Sequence, residues 1–104
     1  MIMKKTTKKV SFCGISGSGM SALAQVLKAK GYDVYGSDRS FDQGKDTQNK
    51  KALENLGIKI FKQDGSAIDK SIDFLYVSTA VEESIADVKK AIELGVQIKN
   101  VQIY

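Results

Sequence analysis

The 104-residue chain contains no histidine and only one cysteine, Cys13. Without histidine it cannot form a Ser-His-Asp triad, use an imidazole as a general base or build a His-containing zinc site. A single cysteine excludes an intramolecular disulfide and a thiolate metal site. Because Cys13 lies within an apolar run, we predict a buried thiol rather than a reactive one. Any chemistry would depend on carboxylates, lysines or a bound cofactor.

Long hydrophobic runs and a strong charge are also missing. No stretch approaches the length of a membrane span and no signal-peptide pattern follows the first lysines, so we expect a cytoplasmic protein with no membrane partner. Sixteen Lys and Arg against twelve Asp and Glu give a net charge of +4. This charge suits an anionic ligand but is too small and too dispersed to predict a nucleic-acid partner. The length predicts a single domain over residues 1–104.

Helical and apolar patterns alternate along the chain. Three helical patterns end at a glycine, Gly31, Gly57 or Gly95, directly before a short apolar run, as at a junction between helix and strand. We predict strands at about residues 10–14, 33–37, 58–61, 73–78 and 96–99, helices at about 19–30, 46–56 and 84–94, and a loop over 62–71. Right-handed crossovers then give an α/β, Rossmann-like, doubly wound fold whose five-stranded parallel sheet has the order 3-2-1-4-5.

The glycine-rich run of residues 14–21, Gly-Ile-Ser-Gly-Ser-Gly-Met-Ser, joins the first strand to the first helix. Such a turn binds phosphate, because its N–H groups converge, the first-turn amides have no partner within the helix, and the helix dipole adds positive charge. The run therefore predicts a nucleotide or diphosphate ligand. The alternative is a loop whose glycines only allow close packing of strand and helix.

Two known phosphate loops match this run imperfectly. In the pattern G-x-x-x-x-G-K-[ST], Met20 stands where lysine is required, so we do not expect NTP hydrolysis here. In G-x-G-x-x-G, Ser16 stands at the middle glycine, where the backbone comes closest to a pyrophosphate. Ser16 would either obstruct the ligand or donate its hydroxyl to it. We favour the donating hydroxyl, because Gly17 supplies backbone freedom.

Polar residues follow the predicted second and fourth strands. Asp38, nineteen residues after the last glycine of the run, is placed to accept hydrogen bonds from ribose hydroxyls, with Ser37 beside it. The alternative is a turn that Asp38 forms with the two residues after it. Ser78 and Thr79 would face the crevice or cap the following turn. The polar segment 39–45 would close over a ligand or remain mobile.

The glycine-rich run and the later motifs, taken in their order along the chain, resemble the N-terminal domain of the Mur ligase family of peptidoglycan synthesis. Within that family they resemble the branch that joins L-alanine to UDP-N-acetylmuramate. The resemblance rests on residues 12–24, 36–38, 53–57 and 77–81. It implies that this domain binds the UDP part of the substrate, while a central domain binds ATP and Mg²⁺ and a C-terminal domain helps bind the amino acid. We expect the chain, without those domains, to be an excised domain or a stand-alone relative that does not catalyse ligation alone.

The resemblance also implies which residues contact substrate. It places along the diphosphate the residues Gly17, Ser18, Gly19, Met20 and Ser21, and Ser16, where the family usually has glycine, joins them through its hydroxyl. It places Ser37 and Asp38 on the uridine side and Ser78, Thr79 and Ala80 across the crevice, with no catalytic residue, metal or cofactor in this domain. Two other functions stay open. One is an NAD-binding domain of an oxidoreductase or redox sensor, which Asp38 fits and Ser16 does not, and the other is an interaction module without a ligand.

Overall fold

The computed structural model describes residues 7–78 and 84–101. In chain order its elements are β1 (Lys9–Cys13), α1 (Ser18–Ala29), β2 (Asp33–Ser37), α2 (Arg39–Asp42), α3 (Thr47–Asn55), β3 (Lys59–Phe61), β4 (Phe74–Ser78), α4 (Ala86–Leu94) and β5 (Gln97–Val101). The four strand pairs are all parallel, and the strands lie in the order β3-β2-β1-β4-β5. The predicted doubly wound sheet and its order 3-2-1-4-5 are confirmed.

The sheet carries a hydrophobic core on each face, because successive side chains of a strand point to opposite sides. On one face the buried residues of β1 and β2 pack against α1 and α3, among them Val10, Phe12 and Val34. On the other face Leu75 and Val77 of β4 pack against α4 and the segment before β4. The central strand β1 is buried on both faces from Val10 to Cys13, and Ser11 is the polar residue within that stretch.

Two details differ from the predicted elements. Helix α4 begins at Ala86 rather than at 84, and Ile85 occupies its N-cap position. The polar segment 39–45 contains the four-residue helix α2. The sequence could not reveal this helix, since one turn is too short to show a helical period. Residues 62–71 contain turns and no helix, as predicted.

Glycines are required for two different reasons. Gly31, Gly57 and Gly95 follow the helices α1, α3 and α4 with φ of 98°, 90° and 74°, the left-handed conformation predicted for them. Gly36, inside β2, leaves room for a neighbour. A Cβ there would lie 2.6 Å from Cδ1 of Ile15, which is 0% exposed in the glycine-rich run. Because Gly36 has no side chain, Ile15 of the glycine-rich run packs directly against β2.

Candidate functional site

The strands β1, β2 and β4 are neighbours, and their carboxyl ends meet at one edge of the sheet where the strand order reverses. The glycine-rich run follows β1, Asp38 follows β2, and Ser78 ends β4. Ligands of open α/β sheets bind at such a switch point. Among the predicted site residues, Thr79 and Ala80 lie outside the described part of the chain.

The first half of the glycine-rich run, residues 14–17, is hydrogen-bonded to the end of β2. Gly14 turns the chain with a φ of 87°. Its N–H and that of Ile15 both donate to the carbonyl oxygen of Ser37, at 2.9 and 3.0 Å. The N–H of Gly17 donates back to the carbonyl of Gly14 at 3.2 Å. These amides are satisfied within the protein, so this half of the run positions the loop rather than binding a ligand.

The second half offers free donors. Helix α1 begins at Ser18 behind an N-cap glycine, with no side-chain cap and no acidic residue in its first turn. Within residues 7–78 and 84–101, the backbone N–H groups of Ser18, Gly19 and Met20 have no acceptor. Three aligned N–H groups and the positive end of a 12-residue helix make this the place where a diphosphate oxygen would be bound.

Two side chains of this half turn away from solvent. Met20 is 2% exposed and belongs to the core on the α1 face, so a ligand could reach only its N–H. Ser21 is 7% exposed. Its N–H donates to the carbonyl of Gly17 at 2.7 Å, and its hydroxyl oxygen accepts a bond from Gln25 at 3.4 Å. Met20 therefore fills the core at the position where an NTP-binding loop has its lysine, and the run does not fit the γ-phosphate of ATP.

Asp38 bridges two segments. Its Oδ2 accepts the backbone N–H of Ser16 and its Oδ1 accepts that of Ser40, both at 2.8 Å. The second bond caps α2, so the turn that we held open as an alternative for Asp38 is present. Each carboxylate oxygen can accept a further bond, and the ribose contact stays a prediction.

Ser37 points away from the crevice. Its side chain is 0% exposed, and its hydroxyl donates to Asp87 of α4, which also accepts the N–H of Gly65 at 2.8 Å. Burial raises the pKa of the Asp87 carboxyl, and the two donors oppose that rise. Contact of the Ser37 hydroxyl with a ligand stays a prediction that would require it to leave Asp87. The sequence does not distinguish Asp87, because one acid near the start of a surface helix is usually exposed.

Cys13 lies next to this network and is 5% exposed, which confirms the predicted buried thiol. Burial raises the pKa of the thiol to about 12, and the negative charges of Asp87 and Asp38 add to the rise. A thiol with this pKa is protonated at neutral pH and is a poor nucleophile.

Ser16 connects the run to α3. Its hydroxyl donates to Oδ2 of Asp46 at 2.9 Å and accepts a bond from Nδ2 of Asn49 at 3.4 Å. Asp46 precedes α3 in a left-handed conformation with φ 54° and ψ 37°. Neither Asp46 nor Asn49 was predicted as a partner of Ser16, since they lie about thirty residues away at the polar start of the predicted helix 46–56. The donating hydroxyl of Ser16 thus has an acceptor within the protein.

The described residues offer neither a metal site nor a membrane span. They contain no group of three or more His, Cys, Asp or Glu side chains arranged to hold a metal ion. None of their helices is long and apolar enough to cross a membrane.

Known proteins resemble the chain over nearly its whole length. Residues 9–103 match the model of the Mur ligase family, catalytic domain. The UDP-N-acetylmuramate--L-alanine ligase of Rickettsia prowazekii is 34% identical over 99 residues, which are 92% of this chain and 19% of that protein. Its counterpart in Nitratidesulfovibrio vulgaris is 36% identical over 96 residues, 92% of this chain and 20% of the relative. The chain thus spans about a fifth of the length of these relatives.

A solved structure agrees with these relatives. The crystal structure of UDP-N-acetylmuramate-alanine ligase from Thermotoga maritima superposes with a TM-score of 0.76 and 32% identity, covering 88% of this chain and 20% of that one. The fold and the sequence therefore point to the same group of proteins.

Proposed function

The chain belongs to the Mur ligase family, and we propose that it is the domain of an alanine-adding ligase that binds the UDP part of UDP-N-acetylmuramate. The observation that carries the proposal is the row of three N–H groups, on Ser18, Gly19 and Met20 at the switch point of the sheet, that have no acceptor in the part of the chain that the structure describes. A diphosphate needs several convergent donors and positive potential, and the start of α1 supplies both.

The remaining contacts follow from the positions of the side chains. The diphosphate would lie along residues 16–21, with the exposed Ser18 hydroxyl free to turn toward it. The ribose would lie near Asp38, whose carboxylate already holds the run in place through Ser16. Ser37 would act through its carbonyl, which fixes the loop, while Ser78, Thr79 and Ala80 would line the opposite wall.

Residues 1–104 would form a single domain of the ligase, and the chemistry would lie in its other parts. Mg²⁺ and ATP would be bound there, as the resemblance implies, and the buried Met20 leaves the glycine-rich run without the lysine that a γ-phosphate needs. This chain would bind and orient the nucleotide and would not form the amide bond alone. We expect no nucleic-acid partner, because the net charge of +4 is small.

An NAD-binding role fits the geometry less well. In the dinucleotide pattern the middle position needs a bare backbone. Here that position is Ser16, whose N–H is taken by Asp38 and whose hydroxyl is taken by Asp46. The relatives of this family are also named as ligases and not as oxidoreductases.

A charge placed among the free donors tests the proposal. Gly19→Asp puts a carboxylate where the diphosphate would bind, and should reduce UDP affinity at least about 30-fold. An acidic residue in the first turn is favourable for a helix, so we expect the melting temperature to be unchanged or slightly higher. The measurement is isothermal titration with UDP, alongside a thermal melt.

Ala22→Asp is the matched control. Residue 22 is exposed on the same helix, about one turn further from the free N–H groups, and receives the same charge. It should lose far less affinity than the Gly19 variant. Equal affinity of native protein and Gly19→Asp for UDP, with both folded, would show that the diphosphate does not bind at the start of α1.

A further inference from the structure

Asp46 occupies an unusual position beside the proposed diphosphate site. It is the only non-glycine residue in the described part of the chain with a positive φ. It stands at the N-cap of α3, yet its side chain makes no capping bond there. Its carboxylate accepts the Ser16 hydroxyl at 2.9 Å instead. The side chain therefore serves the glycine-rich run rather than its own helix.

The charge of Asp46 is not neutralised by an ion pair. Within residues 7–78 and 84–101, the single ion pair joins Lys59 to Asp33, on β3 and at the start of β2. Ser16, the partner of Asp46, stands only two residues before Ser18, the first residue with a free N–H. The negative charge of Asp46 is thus held against Ser16 of the glycine-rich run, and because Asp46 is exposed, salt should weaken its effect on an anion bound by that run.

We propose that Asp46 is a specificity-determining residue that makes this site select a nucleotide by the charge of its diphosphate. This inference rests on the proposed function. A free nucleoside diphosphate ends in a phosphate that is mostly doubly ionised at pH 7.5, whereas the diphosphate of a sugar nucleotide is esterified at both ends and carries about one charge less. The Asp46 carboxylate repels the first ligand more strongly and so favours the sugar nucleotide.

Asp46→Asn isolates the charge. Asparagine accepts the left-handed backbone as readily as aspartate does, and its amide oxygen can still accept the Ser16 hydroxyl. Dissociation constants for UDP, UDP-N-acetylglucosamine and uridine are measured by isothermal titration at pH 7.5. We expect UDP to bind about 3- to 10-fold more tightly to the variant, the sugar nucleotide about 2- to 5-fold more tightly because it carries one charge less, and uridine equally. The gain for UDP should shrink between 0.1 and 1 M salt.

Glu54→Gln is the matched control. It removes one negative charge from the same helix, about 12 Å further along its axis, and should change each affinity less than 2-fold. Unchanged UDP binding in Asp46→Asn, or an equal gain for UDP and the sugar nucleotide, would overturn the charge selection and leave the proposed function intact. If neither native protein nor variant binds UDP or the sugar nucleotide, the proposed function fails, and this inference fails with it.

Discussion

Gly36→Ala tests how the sheet supports the glycine-rich run. The added Cβ would lie 2.6 Å from Cδ1 of Ile15 and 3.1 and 3.2 Å from its Cβ and Cγ2. Rotation of the Ile15 side chain can relieve the first contact but not the contact with its Cβ, which is fixed to the backbone. Because Ile15 is 0% exposed in the core, the backbone of the run must also shift.

The expected loss of stability combines two opposing effects. Overpacking of a buried site costs about 1–3 kcal/mol. The lower entropy of the unfolded alanine variant returns about 0.4–1 kcal/mol. We therefore expect the free energy of unfolding to fall by about 1–2 kcal/mol, or about 4–16 °C in melting temperature for a domain of this size. The bonds from Gly14 and Ile15 to the Ser37 carbonyl should lengthen, and UDP should bind more weakly.

A double-mutant cycle assigns this loss to the Ile15 contact. Ile15→Val removes Cδ1 and should alone cost about 0.5–1.5 kcal/mol. In the double variant the 2.6 Å contact is absent, so its loss should be smaller than the sum of the single losses by about 1 kcal/mol. Urea unfolding of the four proteins supplies the energies.

Gly17→Ala is the control for a glycine in the same run that has room. Its φ of −58° suits any residue, and an added Cβ would meet nothing closer than 3.6 Å. We expect a change of at most about 0.5 kcal/mol, since alanine is a weaker N-cap but restricts the unfolded chain. If Gly36→Ala is as stable as the native protein, or if the two losses in the cycle simply add, the packing argument is wrong.

Two further variants probe buried carboxylates. Asp38→Ala should lower the free energy of unfolding by about 1–2 kcal/mol, because the bonds to Ser16 and Ser40 are lost. It should also weaken the binding of both UDP and pyrophosphate. Weaker binding of UDP alone would instead indicate a ribose contact. The raised pKa of Asp87 means that the folded protein binds its proton more tightly, so this group makes stability fall as pH rises above the unfolded value of about 3.9. Asp87→Asn should remove that fall, and its stability relative to native protein should rise between pH 4 and 7 in urea unfolding; a constant difference would mean that Asp87 titrates normally.

Several structural features could be predicted because they depend on residues close together in sequence. A glycine between a strand pattern and a helix pattern determines the loop at 14–21, and glycines at helix ends determine the junctions at Gly31, Gly57 and Gly95. Alternation of such units leaves few possible topologies, so the parallel sheet and its order followed as well. The unpaired amides at the start of α1, where we propose that the diphosphate binds, are equally local, since such amides occur at every helix N-terminus.

The partners of the polar side chains depend on distant residues and were decided only by the tertiary structure. Ser37 and Asp87 are fifty positions apart, and Ser16 and Asp46 are thirty apart. The sequence around Ser37 does not show that its hydroxyl faces α4. The sequence around Asp46 does not show that its carboxylate accepts the Ser16 hydroxyl instead of capping α3. A local sequence pattern determines the backbone conformation of a segment. A hydrogen bond between distant side chains forms only if the fold brings the donor and the acceptor together. The sequence therefore predicted the loop and helix start at which we propose that a diphosphate binds, and the tertiary structure alone brought Asp46 to Ser16 and Asp87 to Ser37.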